Sequence, residues 1–224
     1  FAVELALKYN GEIISADSRQ LYKGLDIGTG KITKEEMKGV KDYMLDVCDI
    51  DQEFSVAEYK ALALPILEDI IASGKTPIIC GGTGQYIDAL IFTGTLPEVH
   101  PNKELRIALE QKSTNELYET LLQEDSARAQ TIDKHNRVRV IRALEIINTL
   151  GTVPPQEQSS FRFPTKLYLM NPSRELLRER ITLRLEKRLQ IGMIQEVQNL
   201  IEEGYEDEKV LKRFGIEYFI IGEY

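Results

Sequence analysis

Two short apolar segments, each followed directly by polar residues and glycines, constrain the fold of this chain more than any other feature. The first, EIISA, covers residues 12–16 and follows a helical pattern that ends at Asn10-Gly11. The second, TPIICGG, covers residues 76–82 and follows a helical pattern that begins at a Ser55/Glu58 capping box. Apolar strands that alternate with helices are typical of a parallel sheet flanked by helices. The sequence therefore predicts an α/β fold, with a further short strand in residues 41–48.

Polar side chains stand where both apolar segments end. Asp17, Ser18, Arg19 and Gln20 follow the first, and Thr83 follows the second within GGTGQY. Ligands of open parallel sheets bind beyond the carboxyl ends of the strands, so we expect Asp17 and Thr83 to face one crevice. Asp17 would suit a general base or a magnesium ligand, and the neighbouring glycines would let a ligand approach the backbone. An acid at this position is also a common turn former, so its position leaves both interpretations open.

The rest of the chain predicts a helical insertion in an α/β core. Residues 95–133 have helical periodicity and no strand pattern, so we assign residues 1–94 and 134–224 to the core and 95–133 to the insertion. Residues 136–150 predict a helix that ends before Gly151. Residues 159–170 favour a return to the sheet, and Ser173 is expected to cap a long helix over 174–190.

Composition excludes several classes of function. The chain has 224 residues and a net charge of −8, which argues against indiscriminate nucleic-acid binding. Two cysteines and two histidines, at positions 48, 80, 100 and 135, lack the spacing of a zinc site. No apolar run is long enough to span a membrane and no signal peptide is visible, so we expect a cytoplasmic protein without a membrane partner.

Two local basic clusters interrupt the acidic average. Residues 134–142 carry four cations and no acid, which suits either contacts to a phosphate backbone or a solvated helix face. On the long helix, Arg180 and Arg184 are one turn apart and could clamp an anion together. Glu179 and Glu186 could instead pair with them on the surface.

Five motifs, in this order and at this spacing, connect the chain to a known family. They are GEIISADSRQLYKGLDIGTGK, FSVAEY, PIICGGTGQYIDAL, NRVRVIRALEI and RERITLRLEKRLQIGMIQEV. Together they resemble the tRNA dimethylallyltransferases, also called tRNA isopentenyltransferases, from Phe1 to Tyr224. The resemblance implies a P-loop-kinase-like parallel sheet with a helical insertion that grips the anticodon stem-loop. It also implies a monomer that uses Mg²⁺ and transfers a dimethylallyl group from dimethylallyl diphosphate to the exocyclic amine of the adenine 3′ to the anticodon.

The resemblance also implies roles for residues at matching positions. Asp17 would be the general base, Thr83 would touch the tRNA near the reacting site, and Arg180 or Arg184 would hold the diphosphate. The residues that would bind tRNA are Asp17, Ser18, Arg19, Gln20, Thr83, Arg106, Val138, Arg139, Val140, Ile141 and Arg142. These roles agree with the chemistry, because a weakly nucleophilic amine needs a base and a leaving diphosphate needs cations. The adenine must also leave its stack to be reached, and Tyr22 could stack on it.

Some of the family's features are missing from this sequence, among them its P-loop and the strand before it, which we expect just before Phe1. GTGK at residues 28–31 does not satisfy the P-loop pattern, because position 25 is Leu and position 32 is Ile. Arg188 stands where the family usually has methionine. We interpret the sequence as truncated at both ends and expect that, as given, it transfers little or no dimethylallyl group. The alternatives are an adenylate isopentenyltransferase acting on free nucleotide, a small-nucleotide kinase that uses ATP, and an inactive tRNA-binding fragment.

Overall fold

Helices and short parallel strands alternate in the first part of the computed structural model, which describes residues 1–94, 99, 102–154, 160–206 and 208–223. In chain order the elements are α1 (Ala2–Lys8), β1 (Gly11–Ser15), α2 (Lys34–Met37), β2 (Asp42–Tyr43), α3 (Val56–Ala72), β3 (Thr76–Cys80), α4 (Gly84–Ile91), α5 (Lys103–Glu110), α6 (Thr114–Glu124), α7 (Ser126–Thr131), α8 (Arg137–Leu150), α9 (Arg174–Gln190), α10 (Met193–Glu202), α11 (Glu208–Phe214) and α12 (Ile216–Gly222). They form two compact units. The first combines Phe1–Ile91 with Phe161–Tyr224, and the second is Phe92–Ser160.

The sheet belongs to the first unit and is parallel, as the sequence predicts. Within the described residues it has three strands in the order β2-β1-β3. β1 pairs along its whole length with β3, so that Ser15 lies opposite Cys80. The two strands therefore end at the same edge of the sheet.

Helix α3 anchors the centre of this unit. It begins at the predicted capping box, in which the Ser55 hydroxyl and the Glu58 carboxylate each accept the other residue's backbone N–H. The hydroxyl of Tyr59 donates to the Ser15 carbonyl oxygen at 2.9 Å, and its ring stacks on Tyr86 at 3.9 Å between centroids. Because Tyr59 is fully buried, these contacts fix the end of β1 against α3 and α4.

The second unit consists of α5 to α8. Its core contains Leu117 and Leu121 of α6 together with Val140 and Leu144 of α8. This compact unit is larger than the predicted insertion of residues 95–133, because α8 buries its apolar face against α5 and α6. The predicted helix over 136–150 is confirmed, and its cap Gly151 adopts a left-handed conformation with φ of 80°.

The region after the second unit differs from the sequence interpretation in one element. The described residues of the predicted strand 159–170 do not form a strand. Arg162 N–H instead donates to the Ile91 carbonyl at 2.7 Å, and Pro164 has no N–H to offer to a ladder. Helix α9 begins after Ser173, whose hydroxyl accepts the Leu176 N–H, and this confirms the predicted cap.

Candidate active site

The candidate site lies where β1 and β3 end. The Ala16 N–H donates to the Cys80 carbonyl at 2.8 Å, and the Thr83 N–H returns a bond to the Ala16 carbonyl at 3.0 Å. A Cβ atom at Gly81 would overlap the backbone of Ala16, so a glycine is required there for the two segments to meet. Gly82, by contrast, faces open space and leaves room for a ligand.

The Asp17 carboxylate stabilises a turn with one oxygen and leaves its other oxygen available. Its Oδ1 accepts the backbone N–H groups of Arg19 at 2.8 Å and Gln20 at 3.4 Å. This is the turn geometry that short acidic side chains favour. Its Oδ2 accepts no hydrogen bond from the described part of the chain, and the residue is only partly buried. One oxygen therefore orients the carboxylate while the other can receive a proton.

Thr83 is held next to this carboxylate through Ser18. The Ser18 N–H donates to Thr83 Oγ1 at 3.0 Å, and the Thr83 hydroxyl donates to Ser18 Oγ at 3.3 Å. Thr83 also precedes α4, where its carbonyl accepts the N–H of Tyr86 at 2.9 Å. The structure therefore brings together Asp17, Ser18 and Thr83, which the sequence placed in two separate motifs.

The next residues divide into exposed and anchored side chains. Arg19 is exposed. The Gln20 amide donates to the carbonyls of Thr29 at 3.4 Å and Gly30 at 3.3 Å, and its oxygen accepts from Ser15 Oγ at 3.4 Å. These long bonds fix the side chain and leave it further hydrogen-bonding capacity.

Tyr22 is not available for stacking on a base. Its side chain is 4% exposed and packs edge-on against Phe214 with ring centroids 5.1 Å apart. Burial raises the pKa of its hydroxyl. The prediction that Tyr22 stacks on a substrate base is therefore wrong, because the ring is part of the core.

The GTGK segment is a structural loop. Lys31 Nζ donates to the Tyr22 carbonyl at 2.8 Å and to the carboxylates of Asp26 at 2.6 Å and Asp46 at 2.5 Å. Its side chain is 6% exposed. All three donors of the ammonium group are used inside the protein. This lysine does not serve as a P-loop lysine, in agreement with the sequence.

Helix α9 carries several arginine side chains. Arg180 and Arg184 are both exposed, and neither forms a salt bridge within the described residues. Arg188, one turn beyond Arg184, is more buried and reaches Gly30 and Glu217. Burial, followed by the nearby charge of Arg184, lowers the pKa of Arg188. From the sequence, Arg188 was recognised only as a departure from the family, and its position beside the GTGK loop was not predicted.

The predicted tRNA-binding residues of the second unit differ in exposure. Val138 is 77% exposed and Arg139 is also exposed, so both side chains can meet a ligand. Val140 and Ile141 are buried in the unit's core at 0% and 8% exposure. Direct side-chain contact of these two with tRNA does not fit the structure, since α8 needs their surface for packing.

Two other predicted residues, Arg106 and Arg142, share a buried partner. Glu145 has a fully buried side chain and accepts from Arg106 Nε at 2.7 Å, Arg106 Nη2 at 2.9 Å and Arg142 Nη1 at 3.2 Å. It also accepts the Asn102 N–H at 2.9 Å. Burial alone would raise the pKa of this carboxyl, but the bonds from Arg106, Asn102 and Arg142 outweigh it and lower the pKa. Glu145 was not among the predicted site residues, although a charged residue within the apolar run ALEII was a signal.

The described residues form neither a metal-ligand cluster nor a membrane-spanning helix. No group of three or more His, Cys, Asp and Glu side chains is placed to hold a metal ion. No helix among them has the length and apolar character to cross a membrane.

The fold and the site define an α/β protein of the P-loop-kinase-like class, whose polar site stands at the carboxyl edge of a parallel sheet. The family model described as IPP transferase matches residues 20–221. The chain belongs to the IPP transferase family, as the sequence motifs predicted.

Relatives of known name agree with this assignment. A tRNA dimethylallyltransferase of an Exiguobacterium species is 37% identical over 222 residues, which cover 97% of this chain and 71% of that protein. One from Anoxybacillus flavithermus is 39% identical over 218 residues, which cover 96% of this chain and 70% of that protein.

Solved structures support the same fold. A tRNA isopentenylpyrophosphate transferase from Staphylococcus epidermidis is 36% identical with a TM-score of 0.65, covering 98% of this chain and 74% of that one. A eukaryotic dimethylallyltransferase acting on tRNA is 28% identical with a TM-score of 0.79, covering 90% of this chain and 52% of that one. These similarities extend through both units of the chain.

Proposed function

We propose that this protein transfers a dimethylallyl group from dimethylallyl diphosphate to the exocyclic amine of the adenine 3′ to a tRNA anticodon. The observation that carries the proposal is the Asp17 carboxylate, held by one oxygen at the carboxyl edge of the sheet in a chain of this family. The alternative of an adenylate isopentenyltransferase is not favoured, because the similar proteins are named tRNA dimethylallyltransferases. We also propose that the protein acts as a monomer in the cytoplasm.

Asp17 would act as the general base. As the amine nitrogen bonds to the allylic carbon, the bond from that carbon to the diphosphate oxygen breaks and its electron pair leaves with the diphosphate. The amine proton passes to Asp17 Oδ2, the oxygen that the turn leaves unoccupied. The two backbone N–H groups on Oδ1 hold the carboxylate in one orientation, so that little reorganisation is needed during transfer.

Ser18, Arg19, Gln20 and Thr83 would hold the flipped-out adenine around this base. Arg19 is exposed, and the anchored Gln20 amide retains hydrogen-bonding capacity for a base edge. In the second unit, Val138 and Arg139 would meet the tRNA directly. Arg106 and Arg142, whose guanidinium groups Glu145 holds in place, would contact the tRNA with the solvent-facing part of those groups. Val140 and Ile141 would act indirectly, because they pack α8 onto the core of the second unit.

Arg180 and Arg184 would bind the diphosphate as charge develops on it. Both guanidinium groups are exposed on one face of α9 without a carboxylate partner among the described residues, so their charge is available to an anion. Arg188 adds positive charge beside Arg184.

Magnesium would come with the diphosphate. Mg²⁺ in phosphate-transfer sites is bound by one or two carboxylates together with substrate phosphates. The described residues offer no cluster of three metal ligands, so they do not fit a site built from protein groups alone.

The test uses the full-length natural protein, radiolabelled dimethylallyl diphosphate and an unmodified anticodon stem-loop. We expect label in the stem-loop and none in AMP or in a stem-loop with guanine at the modified position. Asp17→Asn should lower the turnover rate by about 10²–10⁴-fold, while stem-loop affinity is kept. Asp88→Asn, an exposed acid on α4, is the matched control. Preferential labelling of AMP, or full activity of Asp17→Asn, would refute the proposal.

A further inference from the structure

A carboxylate of α10 holds the GTGK loop by its backbone. Glu196 Oε2 accepts the N–H of Asp26 at 2.9 Å and of Ile27 at 2.7 Å, and Glu196 Oε1 accepts the N–H of Gly28 at 2.9 Å. Three successive backbone N–H groups that point to one side form an anion-binding concavity. Here the anion is part of the same chain, 168 residues further along from Gly28.

Helix α12 completes this clamp. The Tyr218 hydroxyl donates to Glu196 Oε1 at 2.6 Å, and the Tyr218 side chain is almost fully buried. Burial and this bond to Glu196 raise the pKa of Tyr218, so the hydroxyl remains a donor at physiological pH. A Cβ atom at Gly28 would overlap the Tyr218 ring, which shows how closely the loop lies on α12. The loop is therefore held from one side by a charge and a ring that belong to later elements.

The clamped loop carries the acceptors that anchor Gln20. The carbonyls of Thr29 and Gly30 receive the Gln20 Nε2 bonds, and Gly30 N–H donates to the Ile27 carbonyl at 3.1 Å within the loop. A displacement of the backbone at Asp26–Gly28 would therefore move the two carbonyls that orient the Gln20 amide. Gln20 is three residues from Asp17 in the turn that follows β1.

We propose that Glu196 is a positioning residue, which fixes the 26–30 loop so that Gln20 presents its amide to the substrate base in one orientation. The proposal rests on the proposed function, because Gln20 matters to specificity only where a nucleobase is bound. Glu196 itself touches no substrate. Its effect should therefore appear in recognition of the nucleic acid and not in binding of the diphosphate.

The test is a double-mutant cycle between Glu196→Gln and Gln20→Ala in the full-length natural protein. Glutamine keeps the size of the side chain but places an NH₂ group against backbone donors, so the loop loses part of its anchor. In the wild-type background we expect Glu196→Gln to raise KM for the stem-loop about tenfold and to leave KM for dimethylallyl diphosphate unchanged. In the Gln20→Ala background the same change should alter KM for the stem-loop by less than about twofold, since coupled residues are not additive.

Two further variants keep the test decisive. Glu202→Gln, an exposed acid on the same helix, is the control and should leave both KM values unchanged. Tyr218→Phe removes one bond to Glu196 while keeping the ring against Gly28, and it should shift KM for the stem-loop in the same direction by a smaller factor. It replaces Glu196→Gln if that variant does not fold.

The outcomes separate the two proposals. Absence of transfer by the wild-type protein would overturn the proposed function. Transfer by the wild type, combined with additive effects of Glu196→Gln and Gln20→Ala, would overturn the positioning role alone. An equal rise in KM for both substrates would also overturn it, because a general loss of structure has that effect.

Discussion

Replacement of Glu145 by glutamine should loosen the second unit from its centre. The Glu145 side chain is 0% exposed, and four hydrogen bonds converge on its two oxygens. Glutamine can keep one accepting oxygen, for the Asn102 N–H and one Arg106 bond. Its NH₂ group then takes the place of Oε2 and faces both Arg106 Nη2 and Arg142 Nη1, so donors meet donors.

The expected cost follows from these contacts. Two charge-assisted bonds are lost, and each contributes about 1.5–3 kcal/mol. Arg106 and Arg142 have side chains that are 36% and 32% exposed, so water can recover part of the loss. We expect the free energy of unfolding of this unit to fall by about 3 kcal/mol, at the lower end of the range for breaking a buried ion pair.

Hydrogen exchange measures this change locally. Peptides from α8 should exchange about 150-fold faster in Glu145→Gln than in the wild type at pH 7, since every 1.4 kcal/mol is a factor of ten. Peptides from β1 and α3 in the first unit serve as an internal reference. Glu119→Gln, an exposed acid on α6, is the matched control and should change exchange by less than about threefold.

The pH dependence gives a second check on the same prediction. Because the pKa of Glu145 is lowered in the folded protein, its contribution is complete above the unfolded-state pKa and is lost as the pH falls through the folded-state pKa. The difference in α8 exchange rate between Glu145→Gln and the wild type should therefore become smaller below about pH 4.5. Exchange rates in α8 that match the wild type at pH 7 would refute the reasoning.

Three further predictions follow from the exposed arginines and a buried acid. Arg139→Ala should weaken stem-loop binding and reduce the slope of log affinity against log salt concentration by about one. The control Lys112→Ala should change neither the affinity nor the slope. An unchanged slope in Arg139→Ala would exclude a phosphate contact by Arg139. Arg184→Ala should raise KM for dimethylallyl diphosphate more than Arg180→Ala does, because Arg184 lies beside Arg188. A larger rise in KM for Arg180→Ala would contradict this prediction, and Arg174→Ala is the control. Asp42 has a buried Oδ1 without a hydrogen-bond partner among the described residues, and burial raises its pKa to about 6. Its ionisation therefore destabilises the folded protein progressively as the pH rises from the unfolded-state pKa of about 3.9 towards about 6, and the cost is constant at higher pH. Asp42→Asn should therefore raise the free energy of unfolding at pH 7.5 by about 1–2 kcal/mol, after a discount for solvent screening, and have no effect near pH 4. Urea titration at the two pH values checks it, with exposed Asp51→Asn as the control.

The sequence by itself determined the elements that local rules govern. Capping residues such as Ser55 and Ser173, and Gly151 at a helix end, predicted boundaries that the structure confirms, since each satisfies backbone groups within one turn. The polar turn after EIISA placed Asp17 at a strand end, and the five motifs identified the family. These signals are all contained in short stretches of chain.

Only the tertiary structure decided which side chains are free. Tyr22 and Ile141 were predicted to contact substrate, but packing from distant elements buries them. Glu145 meets Arg106 across 39 residues of sequence and Glu196 meets Asp26 across 170 residues, and no local pattern specifies such pairs. A buried carboxylate must find donors wherever the fold provides them, so its role follows from three-dimensional contacts and not from its neighbours in the chain.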